Sequence, residues 1–354
     1  MRKKQINIAL VGCGAVVEML YLKSITFLKK EGLIGKIFLV DPNKERLDKI
    51  SKLIPSSSFF DLESLFMHVI PDLCIIAAPH RFHAQLTIFC LDKGSNVLCE
   101  KPMATTVSEC NRMISASFRN KKVLAVGHFR RFFPSCNFIK HILEENLLGK
   151  VKSFHFLEGE SYSWPAQSLS FFKKEYAGGG VLIDVGVHLI DLLLWWLGDV
   201  FSFEYFDDAF GGVEANCLLK LEMKNGSRGI VKLSRDWQLR NEYIINCEKG
   251  WLKYYLDVTD RFELGLYNKS HIVNARILNI KKELPVFNFM DSFTEQLRNI
   301  IAAINKEEKV LVSGYEARKS IILIEKCYKK RKLFSMPWLE KNEQKYAMEL
   351  NNES

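Results

Sequence analysis

The stretch QINIALVGCGAVV, residues 5–17, decides the fold. Its first part, Gln5 to Val11, is a short apolar run rich in branched side chains, the pattern of a strand buried on both faces. Gly12-Cys13-Gly14-Ala15-Val16-Val17 follows, and a helical pattern then runs to about Lys30. A strand, a G-x-G turn and a helix, in that order, are the context a dinucleotide-binding fingerprint needs. Gly12 permits the tight turn, and Gly14 lets the backbone approach a pyrophosphate. The N-terminus of the helix that follows offers unpaired N–H groups and a partial positive charge that suit phosphate oxygens. Val17 stands where glycine or alanine is usual, at the position that governs helix–strand packing.

Working outward, Lys36 to Val40 reads as a second strand and ends in Asp41. A carboxylate there can accept from an adenosine ribose 2′-hydroxyl and repels a 2′-phosphate, so it favours NAD over NADP. Asp41-Pro42 also suits a turn that caps the next helix. Alternation continues with strands at Asp72–Ala78, Asn96–Glu100 and Lys122–Gly127 and helices at Asp61–Ile70, Phe82–Lys93 and Thr105–Arg119. Such alternation implies right-handed crossovers and a doubly wound parallel sheet, a Rossmann arrangement. Ligands of these sheets bind beyond the carboxyl ends of the strands. Gly12–Val16, Asp41, Ala78-Pro79-His80 and Glu100-Lys101-Pro102 are therefore expected to converge.

A second stretch, GGGVLIDVGVHLIDLLLWWLGDV at residues 178–200, is nearly apolar enough to cross a bilayer, yet it holds Asp184, His188 and Asp191. At helical spacing the three fall within about 60° on one face. Charges at a bilayer centre are costly, so a soluble core helix with one face on a cavity is expected. Taken alone, Asp-x-x-x-His also fits a half-buried helix with a structural histidine.

The chain's 354 residues suggest two domains, and 48% hydrophobic with 26% charged residues is an ordinary globular composition. A net charge of +9 could attract nucleic acid, a membrane surface or an anionic substrate. The lysines are scattered, however, and no basic helix interleaved with aromatics is present, so no nucleic-acid or membrane partner is expected. The nine cysteines form no C-x-x-C pair and sit mostly in apolar runs. They read as buried thiols of a reducing compartment, and no metal site is expected. The amino end imitates a secretory signal but lacks a clean small-residue cleavage site, and a cytoplasmic location is expected.

At Glu100-Lys101-Pro102 a resemblance becomes specific. With Pro79 and His83 after one strand, Gly94 at a helix end, and Glu-Lys-Pro after the next strand, the run from Pro71 resembles the glucose–fructose oxidoreductase/inositol dehydrogenase (Gfo/Idh/MocA) family. Arg131-Phe132-Phe133-Pro134 is similar to that family's segment at the domain junction. GGG with Asp184, Gly186, His188 and Asp191 fits as well, so the likeness runs from about Ile6 to Lys330. Val17 is the main departure. The resemblance implies an α/β protein: an N-terminal Rossmann domain (1–128), then a substrate-binding and oligomerisation α/β domain (129–335) with an open, mostly antiparallel sheet. Strand-like runs between Phe203 and Glu248, with turns at Gly211-Gly212 and Asn225-Gly226, are compatible with it. The last helix, about 313–332, is expected near the Rossmann domain, and 336–354 reads as a polar tail. A homodimer or homotetramer is implied too.

Oxidising a secondary alcohol requires a hydride acceptor and a base for the hydroxyl proton. His188 suits the base, Asp184 can orient its ring, and Lys101 can stabilise charge developing on the substrate oxygen. These roles match what the resemblance implies. The cofactor-binding set is Gly12, Gly14, Ala15, Val16, Asp41, Ala78, Pro79, His83, Glu100 and Lys101. Arg131 and Trp164, the latter within Tyr162-Ser163-Trp164-Pro165, are candidate contacts to a sugar beside Asp184 and His188. The expected activity is NAD-dependent oxidation of a ring hydroxyl on a sugar, cyclitol or nucleotide-linked sugar. An NADPH-dependent ketosugar or carbonyl reductase, and a non-catalytic cofactor-sensing protein of the same fold, are the alternatives.

Overall fold

The computed structural model describes residues 5–165, 172–256, 258–277, 288–335 and 339–353. Arg2 to Lys4, the basic part of the signal-like start, and Pro337, at the border of the polar tail, lie outside them. Along the chain run β1 (Ile6–Val11), α1 (Leu22–Lys30), β2 (Ile34–Val40), α2 (Lys44–Ser51), β3 (Ser57–Phe59), α3 (Leu62–His68), β4 (Leu73–Ile76), α4 (His83–Asp92), β5 (Asn96–Cys99), α5 (Val107–Asn120) and β6 (Leu124–Val126). Next come α6 (Pro134–Glu144), β7 (Val151–Gly159), α7 (Lys174–Ala177), α8 (Val181–Asp184), α9 (Gly186–Leu197), β8 (Val200–Asp207), β9 (Asn216–Met223) and β10 (Arg228–Ser234). The remainder is β11 (Glu242–Cys247), β12 (Gly250–Tyr255), β13 (Arg261–Leu266), β14 (Ile272–Arg276), α10 (Phe289–Ile304), α11 (Gly314–Lys329), β15 (Arg331–Leu333) and α12 (Lys341–Glu353). The described residues form two compact units, one within 1–129, 165–170 and 289–321, the other within 130–164, 171–288 and 322–354.

In the first unit the described strands make a six-stranded sheet in the order β3-β2-β1-β4-β5-β6, with every neighbouring pair parallel. Ile8, Ala9 and Leu10 of β1 are almost wholly buried, as are Cys74, Ile75 and Ile76 of β4, so both faces are covered by helices. Each such branched side chain contributes about 1.5–3 kcal/mol on burial. The register pairs Val11 with Val40 and with Ile76, Ile76 with Cys99, and Cys99 with Val126. The strands therefore end in line, and Asp41, Gly12, Ala77, Glu100 and Gly127 form the sheet's carboxyl edge. β3 escapes a reading of hydrophobic runs because Ser57-Ser58-Phe59 is an exposed or half-exposed edge strand. α5 opens with a capping box, Thr106 accepting from the Glu109 N–H while the Glu109 carboxylate accepts from the Thr106 N–H. α10 packs along α1: Tyr21 meets Phe293 edge-on, Thr294 donates to the Ser24 hydroxyl at 3.0 Å, and Arg298 pairs with Glu31 at 2.5 Å.

In the second unit the described strands make a nine-stranded sheet in the order β14-β13-β12-β11-β7-β10-β9-β8-β15. It is antiparallel except for the pairs β7–β10 and β8–β15. The residues that alternate onto one face, Phe154, Phe156, Tyr243, Tyr254, Leu219 and Val231 among them, are buried. Phe156 stacks on Tyr243 at 4.7 Å, and Trp196 of α9 meets both rings edge-on. The Trp196 indole N–H donates to the Cys136 carbonyl of α6 at 3.0 Å, which ties the two helices over that face. The Asn225-Gly226 turn, with Gly226 at φ +84°, joins β9 to β10.

Candidate functional site

At the carboxyl edge of the first unit the fingerprint takes the shape its residues demand. Gly12 lies at φ +92°, and a Cβ there would sit 2.7–2.8 Å from the Ala77 carbonyl and the Ala78 nitrogen. The left-handed backbone and the neighbouring end of β4 both exclude a side chain. A Cβ on Gly14, by contrast, would meet nothing within 4 Å, so the loop presents bare backbone to open space at that point. Asp41 is buried and ties the crevice together. Its Oδ2 accepts from the Cys13 N–H at 2.8 Å and its Oδ1 from the Asn43 N–H at 2.8 Å. Arg46, in the first turn of α2, has Nη1 3.9 Å from Asp41 Oδ2. The Cys13 thiol is pushed up to about 12 by burial first and the Asp41 charge second, which makes it a packing group and not a nucleophile. Val17 is fully buried and opens a π-helical turn, Val17–Tyr21, in which the Leu22 N–H bonds the Val17 carbonyl.

Two expected cofactor contacts, His83 and Glu100, have protein partners. The His83 ring nitrogens lie 2.8 Å from the Pro102 and Ala78 carbonyls, so this buried imidazole clasps the loop after β4 to the loop after β5. Burial holds it below its usual range against the opposing pull of both carbonyls. The Glu100 carboxyl turns inward as well: Oε1 accepts from the Tyr21 hydroxyl and Oε2 from the Lys101 N–H at 3.1 Å. Ala78 flanks the Gly12 turn beyond β4, Pro79 precedes a short 3-10 turn, and Lys101 is half-buried beside Glu100.

In the second unit the polar stripe of residues 178–200 is arranged differently from one continuous helix. α8 ends at Asp184, α9 begins at Gly186, and the axis bends by 48° between Lys174–Asp184 and Gly186–Leu197. Packing sets this break. A Cβ on Gly186 would lie 2.5 Å from Leu233 Cδ1 of β10, so the chain presses onto the sheet there. One turn back, a Cβ on Gly179 would strike the Tyr328 ring and one on Gly180 the Glu214 backbone. The buried Glu214 carboxylate accepts from the Gly180 and Leu182 N–H groups, at 3.0 Å each, and so caps α8. Its pKa is raised by burial.

The break places Asp184 and His188 on different helical segments, both buried. Asp184 Oδ2 accepts from Arg235 Nη2 at 2.6 Å. Arg235 directly follows β10, and its guanidinium lies 5.5 Å from the Tyr162 ring centroid, beyond the end of β7. Asp184 therefore meets Arg235 and Tyr162 at the carboxyl end of the parallel β7–β10 pair. Among the described residues Tyr162 Oη and Arg235 Nε and Nη1 have no hydrogen-bond partner. Arg235 had no mark in the sequence beyond closing a strand-like run. Trp164 is half-buried.

Arg131, a candidate sugar contact by sequence, has a protein partner. It is buried and forms a bidentate pair with Asp191, Nε–Oδ2 2.8 Å and Nη2–Oδ1 2.7 Å, with its guanidinium over Trp195. Two of its donors are engaged there, so Arg131 braces α9 and the third acid of the stripe is its counter-ion. All nine cysteines are free and buried, and no metal-ligating cluster occurs among the described residues. No single described helix is long and apolar enough to cross a membrane.

Family models match both units. Residues 6–128 match the oxidoreductase family with an NAD-binding Rossmann fold, and residues 137–253 match the GFO/IDH/MocA C-terminal domain. D-glucoside 3-dehydrogenase of Escherichia coli is 25% identical over 199 residues, 56% of each chain, so the present chain spans about half of that relative. Glucose-6-phosphate 3-dehydrogenase of Bacillus subtilis is 27% identical over 353 residues, 92% of this chain and 96% of that one. Levoglucosan dehydrogenase, solved with NADH and levoglucosan, shares the fold at a TM-score of 0.81 and 20% identity, over 92% of this chain and 98% of its own.

Proposed function

Because the chain belongs to the Gfo/Idh/MocA family and its first unit is an NAD-binding Rossmann domain, we propose that it is an NAD-dependent dehydrogenase of a ring hydroxyl on a sugar, cyclitol or nucleotide-linked sugar. The observation that carries this reading is the fingerprint loop. Gly12 is locked against the end of β4, Gly14 faces open space, and the buried Asp41 carboxylate lies at the end of β2. Those residues fit a dinucleotide: bare backbone and helix N–H groups for the pyrophosphate, a carboxylate for the ribose hydroxyls. When bound, the nicotinamide supplies the hydride acceptor. The protein's own residues handle the proton. His188 takes it from the hydroxyl, and Asp184, charge-paired with Arg235, stabilises the imidazolium that results. Lys101 suits a donor that offsets negative charge developing on a substrate oxygen. Tyr162 and Trp164 suit an aromatic wall for a sugar ring. The nine free thiols fit a reducing cytoplasm.

The test is calorimetric titration of the purified protein with NAD+ and NADP+, repeated on Asp41→Ala, followed by a sugar screen against Lys101→Ala and His188→Ala. NAD+ binding that weakens about tenfold or more in Asp41→Ala, the loss of one charge-assisted hydrogen bond, is the expected result. Absence of binding to either dinucleotide, with no cofactor carried through purification, would overturn the proposal.

A further inference from the structure

The dehydrogenase mechanism leaves one buried polar network unused. It joins Tyr21, Glu100 and Gln296, which lie far apart in sequence and are 0%, 7% and 1% exposed. The Tyr21 hydroxyl donates to Glu100 Oε1, and Gln296 Nε2 of α10 donates to the Tyr21 oxygen at 3.1 Å. Glu100 Oε2 accepts from the Lys101 N–H. Gly127, the next residue along the carboxyl edge, leaves room for this carboxyl group, since a Cβ there would lie 2.8–2.9 Å from Cδ and both oxygens. Glu100 is thus held by a hydroxyl on one side, by the Lys101 backbone on another and by a bare backbone on a third.

An acid so deep in an apolar unit costs stability unless it is fully hydrogen-bonded, and hydrophobic replacement of such networks is often neutral or better. Its place next to Lys101 points to a task. Tyr21 closes the π-helical turn that begins at Val17. The wider turn resets the register of the helix that follows it. The residue that departs from the fingerprint thereby opens the turn that delivers a hydroxyl to Glu100.

We propose that Tyr21 and Gln296 are positioning residues for Lys101, acting through the Glu100 carboxyl. The role assigned to Lys101 rests on the dehydrogenase reading, whereas the physical coupling does not. The test compares Tyr21→Phe and Gln296→Leu with Thr294→Val, a control that removes a hydrogen bond from the same α1–α10 seam without touching Glu100. Two quantities are read. One is the acetylation rate of Lys101 by an N-hydroxysuccinimide ester at fixed pH, followed by mass spectrometry and normalised to exposed lysines. The other is the split between kcat and KM on whichever sugar is turned over. The expected result is a change of about twofold to tenfold in Lys101 reactivity in both network variants, the span set by one net hydrogen bond. A fall in kcat at unaltered KM should accompany it, with the control unchanged. Wild-type reactivity of Lys101 in Tyr21→Phe would overturn the proposal and reduce the network to packing. A response of Lys101 in a protein that binds no dinucleotide would support the coupling while the dehydrogenase reading falls, because acetylation needs neither cofactor nor sugar.

Discussion

Replacing Arg131 by methionine separates the two roles that sequence and structure assign to it. As a sugar contact, the arginine could be removed with little effect on stability and a clear rise in KM. As the partner of Asp191, its loss would take the counter-ion from a carboxylate that is 1% exposed. Two hydrogen bonds, 2.8 and 2.7 Å long, would disappear with it. Breaking one side of a buried ion pair costs about 3–5 kcal/mol, whereas replacing both partners by apolar groups is often neutral or stabilising. With a urea slope of about 3 kcal/mol/M, the single substitution should lower the unfolding midpoint by roughly 1–1.7 M. Arg131→Met with Asp191→Leu should recover most of that loss. The assay is urea unfolding followed by tryptophan fluorescence, since Trp195 lies against the Arg131 guanidinium. An Arg131→Met protein with an unchanged midpoint and a raised KM would refute the structural assignment.

Gly12→Ala should destabilise the first unit by about 2 kcal/mol or more, because alanine at φ +92° is strained and its Cβ meets the end of β4; thermal unfolding and NAD+ titration should fall together. Gly186→Ala should cost about 1–3 kcal/mol by overpacking Leu233, and it should cut turnover more than NAD+ affinity because the push falls between Asp184 and His188. His83 titrates in the opposite sense to a salt-bridged histidine. Its folded pKa is depressed, so its contribution to stability is complete above the unfolded value near ~6.5 and is lost as pH falls through that value towards the folded one. His83→Gln should therefore lose less stability than wild type between pH 7.5 and 5.5, and equal losses would show that the clasp does not titrate. Cys13, pushed up to about 12, should resist thiol reagents at pH 8 in the folded protein and react once urea is added.

The first unit was legible because its information is local. Runs such as Ile6–Val11 and Leu73–Ile76 must be covered on both faces, and the glycines beside them need conformations that other residues avoid. Alternation of strand and helix then leaves one topology that brings Gly12, Asp41 and Glu100 to one edge. β3 went unseen because an edge strand of two serines and a phenylalanine need not be hydrophobic.

The polar residues of the second unit were another matter. Periodicity placed Asp184, His188 and Asp191 on one helix face, but it assumed an unbroken helix, and the contact of Gly186 with Leu233 breaks it. Which carboxylate meets which arginine depends on chain segments far apart in sequence: Arg131 reaches Asp191 across 60 residues and Arg235 reaches Asp184 across 51. Residue type determines what a side chain can do, as Asp41 and His188 illustrate. Only packing decides whether its donors and acceptors are already satisfied, because a buried polar group takes whatever partner the fold brings within hydrogen-bonding distance. By itself, then, the sequence determined the Rossmann sheet, its glycine turn and the family. The tertiary structure alone decided that Arg131 braces α9, that Arg235 holds Asp184, and that Glu100 faces inward to Tyr21.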